Sequence, residues 1–157
     1  MTKLLAIFLI LITASAPAPE IIAKPVPFDH SNIQNHYQAP LWDKGPGHRG
    51  IDLALDSQGQ IVAPFDGEVF FAGKVVNRQV VTLVSDTGLK ASFEPACAAH
   101  PKGTRVLKGQ NIAVLCVPES DYQMHCKSCV HFSIRNQYGY LNPLLFYGML
   151  EPAVLTS

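Results

Sequence analysis

From Gly45 onward, glycine, proline and turn residues divide the chain into segments that are too short to form convincing helices. These segments are rich in β-branched or alternating apolar residues, which is the pattern of β-strands. We predict strands at 60–63, 67–73, 79–84, 90–93, 106–115 and 130–134, with turns at Asp86-Thr87-Gly88 and Lys108-Gly109-Gln110. Short strands at close spacing indicate an all-β fold with an antiparallel core.

Length and charge limit the class of protein. The 157 residues, 48% of them hydrophobic, suffice for one globular domain with a core. Twelve basic and twelve acidic residues cancel, which leaves no electrostatic basis for binding nucleic acid or an anionic membrane.

The first residues have a different character. Lys3 precedes an apolar run at 4–12 and the small residues Thr13-Ala14-Ser15-Ala16. The run is shorter than the roughly 20 residues that span a bilayer and fits the apolar part of a signal peptide. We therefore expect residues 1–16 to be a signal peptide, and the mature protein to be secreted or cell-wall associated without a membrane span. A retained anchor or a buried N-terminal helix is the alternative.

Prolines mark the next boundary. Pro17, Pro25, Pro27 and Pro40 interrupt any regular element, so we expect residues 17–44 to form a linker or extended N-terminal arm. The β core would then occupy residues 45–147, and residues 148–157 would form a C-terminal tail.

Export would place the cysteines in an oxidising compartment, where they normally form disulfides. The four cysteines allow three connectivities. We favour Cys126–Cys129 with Cys97–Cys116, because the first pair is only three residues apart. A redox-active Cys-x-x-Cys is the alternative, but such a motif is expected beside a βαβ unit, and no such unit is recognisable here.

The spacing of His48 and Asp52 bears on whether both could bind one metal ion. Four residues of a straight strand cover roughly 13 Å, whereas each donor lies about 2 Å from a shared zinc. Pro46, Gly47 and Gly50 disfavour a helix. A bend is the remaining solution, and Gly50 supplies backbone freedom for it.

Several motifs follow one another along the segment Gly45–Phe146. The series begins with a His-x-Gly-x-Asp segment at 48–52 and ends with an Asn-Pro at 142–143, and between them lie characteristic stretches at 61–64, 66–69, 103–113 and 130–132. In these motifs and their order, the segment resembles the lysostaphin/LytM-type zinc metallopeptidases, whose usual substrates are the peptide cross-links of bacterial peptidoglycan.

The resemblance implies three zinc ligands, His48, Asp52 and His131, in a groove of a LytM-type antiparallel sheet. A fourth position would be left for water. Two imidazoles and one carboxylate leave a bound divalent zinc with net positive charge, which lowers the pKa of its water. Three polar residues without a metal are the alternative.

Two positions depart from the family pattern. Phe93-Glu94-Pro95 stands where the family has Tyr-x-His, and Cys129 replaces the first histidine of His-x-His. Some actinobacterial relatives look similar at these places. Glu94, His100 and His125 are the candidates to supply the missing acid–base function. Residue 94 should point opposite to residue 95 in a strand, and His100 lies in a predicted loop with Pro101.

Cys129 permits two further arrangements of the metal site. Residues 129 and 131 project from one strand face, so a free Cys129 thiolate could fill the fourth zinc position, whereas a bond to Cys126 would leave that position open. A separate zinc knuckle from His125, Cys126, Cys129 and His131 is also conceivable.

Two functions are therefore compatible with the sequence. One is an exported zinc metalloendopeptidase that acts on peptidoglycan peptide cross-links through a zinc-bound water, in cell-wall hydrolysis or remodelling. The other is a non-catalytic LytM-type module that binds peptidoglycan or regulates a partner hydrolase.

Overall fold

A computed structural model describes residues 22–42, 44–55, 59–116 and 128–150. The predicted signal peptide, His125, Cys126 and the end of the predicted tail lie outside these ranges. None of the helical segments in the described part has the length and apolarity that a bilayer crossing needs.

The described residues form strands joined by turns, with two short 3-10 helices at His30–Asn32 and Pro143–Tyr147. The strands are β1 (Ile33–Asn35), β2 (Ile51–Ala54), β3 (Gln60–Val62), β4 (Gly67–Val75), β5 (Arg78–Ser85), β6 (Lys90–Glu94), β7 (Ala96–Ala98), β8 (Arg105–Val106), β9 (Asn111–Leu115), β10 (Cys129–Asn136) and β11 (Gly139–Leu141).

Two antiparallel sheets organise these strands. The larger has the order β1-β2-β10-β6-β5-β4-β8, and β11 pairs with β10 beside this path. The smaller has the order β3-β9-β7. This arrangement confirms the predicted all-β antiparallel fold.

The centre of the large sheet has one apolar face and one polar face, because side chains alternate along a strand. On β10, Val130, Phe132 and Ile134 are fully buried in the core. Phe132 stacks on Phe93 of β6 with ring centroids 5.1 Å apart. Burying a phenylalanine side chain of this kind contributes about 2–3 kcal/mol. The intervening residue His131 faces the other side, where the sheet borders a groove.

The described part of the proline-rich segment packs on this fold as an arm. Ile22, Val26, Phe28 and Ile33 are buried in the hydrophobic core, and β1 pairs with β2. Pro25 has no N–H but its carbonyl accepts a hydrogen bond from the Val62 N–H at 2.8 Å. Prolines exclude helix here, yet they leave an extended chain that can still pack and accept hydrogen bonds.

A disulfide between Cys97 and Cys116 joins β7 to the end of β9, with Cα atoms 5.2 Å apart. Closing a loop of this length typically stabilises a fold by about 3 kcal/mol. Cys129 is also disulfide-bonded, and its predicted partner Cys126 lies outside the described residues.

Candidate metal centre

Three adjacent strands place a carboxylate, an imidazole and a second carboxylate in one row. Asp52 on β2 lies directly opposite His131 on β10, and His131 lies directly opposite Glu94 on β6. Directly opposed residues in antiparallel strands project to the same face. The sheet register therefore brings together residues from distant parts of the sequence.

His48 reaches this row from the segment before β2. Its backbone exchanges two hydrogen bonds with Gln38, at 2.8 and 2.9 Å, so that the arm fixes its position. The chain then bends at Gly50 and enters β2, as the spacing of His48 and Asp52 required.

Gly50 was expected to supply backbone freedom for this bend, but the structure shows a different reason for a glycine here. It does not adopt a left-handed φ. Instead, a Cβ at this position would collide with the Phe132 carbonyl oxygen and lie 2.7 Å from His131 Nε2. The absence of a side chain, rather than backbone freedom, allows the bend to pass so close to β10.

The three predicted ligand residues meet at one point. His48 Nε2 lies 3.1 Å from Asp52 Oδ1 and 3.0 Å from His131 Nδ1. His131 Nδ1 lies 2.8 Å from the same Asp52 oxygen. Ligands about 2.0–2.1 Å from a tetrahedral ion lie about 3.3 Å from one another, so these separations are close to those of a shared ion.

Two residues of the arm contact His48 and Asp52 on the atoms that face away from the cluster, and so orient these side chains. His48 Nδ1 lies 2.8 Å from the His36 carbonyl oxygen, which can only accept, so Nδ1 carries the hydrogen. In the neutral imidazole, Nε2 then presents its lone pair to Asp52 and His131. The Asn35 amide donates to Asp52 Oδ2 at 2.8 Å, leaving Oδ1 directed at the histidines. Outer partners of this kind are typical of metal-binding histidines and carboxylates.

Asp52 carries a negative charge in this setting. Burial, to 1% exposure, raises its pKa, but the hydrogen bonds from His131 and Asn35 outweigh burial and hold the pKa below its usual value. A carboxylate oxygen and an imidazole lone pair therefore face each other across about 3 Å. A cation between them would satisfy both, so the donor set fits a metal ion.

Glu94 faces the same groove. Its carboxylate lies 3.1 Å from Arg78 Nε, while the neighbouring Pro95 is buried. The expectation that residues 94 and 95 point in opposite directions agrees with this arrangement. It is Glu94, not residue 95, whose side chain lies beside His131.

The remaining predicted residues contribute differently. His125 and Cys126, and with them the conceivable zinc knuckle, lie outside the described residues. Cys129 is 3% exposed and disulfide-bonded, so its sulfur is not a thiolate that could serve as a ligand. His100 is outside the cluster, with Nε2 3.1 Å from the Asn111 carbonyl oxygen.

The cluster opens into a groove of about 540 Å³. Besides His48, His131 and Glu94, its lining includes several residues that sequence reasoning missed: Arg49, Arg78, Arg135 and Tyr140. Asn35 and His36 were missed as well. No local pattern marks these residues, because register between strands far apart in sequence brings them to the site.

Comparison with known proteins identifies similar chains. The sequence model of the family described as Peptidase family M23 matches residues 46–143. An uncharacterized protein of Mycobacterium tuberculosis is 34% identical over 94 residues, which cover 60% of this chain and 36% of that protein. The chain thus spans about a third of that relative's length.

Two solved structures share the fold. A zinc containing peptidase from Vibrio cholerae superposes with a TM-score of 0.60 at 17% identity, covering 75% of this chain and 38% of its own. A chain of the complex of SpoIIIAH and SpoIIQ superposes with a TM-score of 0.60 at 24% identity, covering 80% of this chain and 99% of its own. With the family match, they confirm the predicted resemblance to LytM-type peptidases.

Proposed function

Since the chain belongs to peptidase family M23, we propose that it is an exported zinc metalloendopeptidase that cuts peptide cross-links of peptidoglycan. Its reaction would serve hydrolysis or remodelling of the cell wall. The observation that carries this proposal is the convergence of His48 Nε2, His131 Nδ1 and Asp52 Oδ1 within 3.1 Å of one another.

Zinc is the metal that this donor set favours. Two imidazole nitrogens and one carboxylate oxygen are a ligand set of catalytic zinc sites, in which the ion polarises a carbonyl and lowers the pKa of a water molecule. Cys129 is held in a disulfide, which supports a site that keeps a position open for substrate or water.

Glu94 is the candidate for the acid–base function in the described part of the chain. Its side chain faces the groove directly opposite His131, and Arg78 orients its carboxylate. A carboxylate in this position can take a proton from the attacking nucleophile and return it to the leaving amine. General acid–base catalysis of this kind is typically worth 10²–10⁴ in rate, by an order-of-magnitude estimate.

Two features support export. Residues 1–16 have the composition of a signal peptide. The cysteines in the described part of the chain are all disulfide-bonded, which is typical of proteins in oxidising compartments.

A non-catalytic function is the second candidate, and a specific observation favours it. Pro95 and Cys129 occupy the two places where the family resemblance puts catalytic histidines. In this alternative, the groove binds peptidoglycan or a partner hydrolase without cutting. SpoIIQ, which is known in complex with the protein SpoIIIAH, is an example of a similar fold that assembles with a partner.

One experiment separates the two functions. The disulfide-intact protein is loaded with zinc and incubated with cross-linked peptidoglycan, and new amino termini are counted. We expect zinc-dependent release that is lost in His131→Ala and kept in His100→Ala, the matched control outside the cluster. No release by a zinc-loaded wild-type protein would refute the peptidase proposal and leave the binding module.

A further inference from the structure

The side chains on the floor of the groove change in type and charge from one end to the other. Two rows of directly opposed residues from β10 and β6 line it, and in a third row Arg135 lines it with Lys90 beside it. From the metal end outward, the rows are His131 with Glu94, Ser133 with Ser92, and Arg135 with Lys90. The side chains therefore pass from a metal ligand and a carboxylate, through hydroxyls, to a pair of cations.

The middle of the groove is polar and uncharged. Ser92 shares a hydrogen bond of 2.9 Å with Thr82 of β5, and Ser133 stands beside it in register. Hydroxyl groups can donate to or accept from the backbone of a bound peptide. This stretch suits a peptide chain but selects no particular charge.

The far end is cationic and built on aromatic rings. The guanidinium carbons of Arg49 and Arg135 each lie 6.0 Å from the centre of the Tyr140 ring. Lys90 Nζ lies 4.2 Å from the centre of the Phe70 ring. Cation–π contacts hold Arg135 and Lys90 in place without neutralising their charge.

At the far end, two positive charges have no acidic partner in the described part of the chain. Arg135 and Lys90 have no ion pair among the described residues, and Glu94 is the one acidic residue described in the groove lining. Glu94 is already engaged by Arg78 at the metal end. A groove with this excess of positive charge concentrates an anionic ligand.

The distance between the metal end and the cationic end of the groove gives the position of the anionic group along a bound peptide. Arg135 follows His131 by four residues on one strand, which corresponds to about 13 Å. An extended peptide advances about 3.3–3.6 Å per residue, so a group at the cationic end is about four residues from a bond at the metal centre.

We propose that the end of the groove at Arg135, with Lys90 and Tyr140 beside it, binds a carboxylate of the peptide, and so determines specificity for acidic peptides. This inference rests on the proposed function in that it takes a peptide to occupy the groove. Guanidinium groups suit this role because their planar fork matches a carboxylate.

The test compares two soluble, uncross-linked peptidoglycan stem peptides that differ only in whether their carboxylates are free or amidated. Titration calorimetry with the zinc-loaded protein gives the dissociation constant of each. We expect the free form to bind about ten- to a hundredfold more tightly, as charge-assisted hydrogen bonds imply. Salt should weaken this preference.

Variants locate the effect. Arg135→Gln combined with Lys90→Gln should reduce the preference to less than about threefold, as expected when the charge-assisted bonds are lost. Lys102→Gln, exposed outside the groove lining, should leave it unchanged. Arg135→Lys keeps the charge and should keep much of the preference, which guards against a folding defect in the double variant.

Equal affinities in the wild type, or a preference that survives the double variant, would overturn the inference. The result is separable from cleavage. A charge preference without cleavage supports this inference while the peptidase proposal fails. Cleavage without a charge preference does the reverse.

Discussion

The ligand cluster and the neighbouring acid–base positions differ in how completely they are equipped. His48 and Asp52 each have a second partner that aims their donor atoms at the centre. The places where the family resemblance puts catalytic histidines instead hold Pro95 and Cys129, both buried. The predicted ligand residues thus have partners that orient them, whereas the residues at the two substituted positions are part of the core.

The difference teaches that holding a metal and moving a proton are separable requirements. The proposed metal site needs three side chains, which converge here, and outer partners, which His48 and Asp52 have. Moving a proton needs a titratable group that faces the groove, and Glu94 supplies one from the adjacent position on β6. In the proposed peptidase, Glu94 would replace the missing histidine without disturbing the three proposed ligands.

The largest effect should follow from removing a ligand. Asp52→Asn keeps the shape of a side chain that is 1% exposed but removes its charge. We expect metal affinity to fall by more than about 100-fold, because even outer partners cost 10- to 100-fold, and cleavage to vanish. Metal content after dialysis against a chelator measures this, and retention of one zinc per chain would contradict it.

Replacing the acid–base candidate should separate the two halves of the site. In Glu94→Gln we expect a rate loss of about 10²–10⁴ with unchanged zinc content, because Glu94 is not a ligand. Glu68→Gln, on exposed β4 surface, is the control. An unaltered rate in Glu94→Gln would show that the proton acceptor lies elsewhere, with His125 the next residue to replace.

Loosening the outer support should have a smaller effect. Asn35→Ala removes the amide that donates to Asp52 Oδ2, and we expect about a 10- to 100-fold loss of metal affinity. Gln34→Ala, at the exposed neighbouring position of β1, should bind metal normally. Equal affinities in the two variants would mean that the arm does not orient the ligand.

The smallest effect should come from a surface pair. The hydrogen bond from Arg105 lowers the pKa of Asp86, which is fully exposed. A lowered pKa stabilises the fold above the unfolded carboxyl's pKa, and this contribution is lost as pH falls through the folded value. Asp86→Asn should therefore change the Tm little at neutral pH and not at all in acid. Thermal unfolding at both pH values checks this, and a large shift at neutral pH would contradict it.

Much of the β core could be predicted because alternation and turn residues are local signals. The strands expected at 60–63, 79–84 and 90–93 correspond to β3, β5 and β6 within two residues at each end. The segment 106–115 divides at its predicted turn into β8 and β9.

The arm and the outer partners could not be predicted, since they depend on long-range pairing. Asn35 and Asp52 are hydrogen-bonded although they are 17 residues apart in sequence. His131 and Asp52 are in contact although they are 79 residues apart. Prolines made the arm resemble a linker, because a proline-rich extended segment has the same composition whether it packs or not. Strand alternation put residues 94 and 95 on opposite faces, but it did not reveal that Glu94 would be the one to face the groove, beside Arg78.

The position of β10 between β2 and β6 has a consequence for folding. Contacts between residues that are close in sequence cost less loop-closure entropy than contacts between distant residues. The proposed metal site needs β1, β2 and β10 together, and β10 comes near the end of the described chain. We therefore expect metal uptake to report a late step of folding rather than an early one.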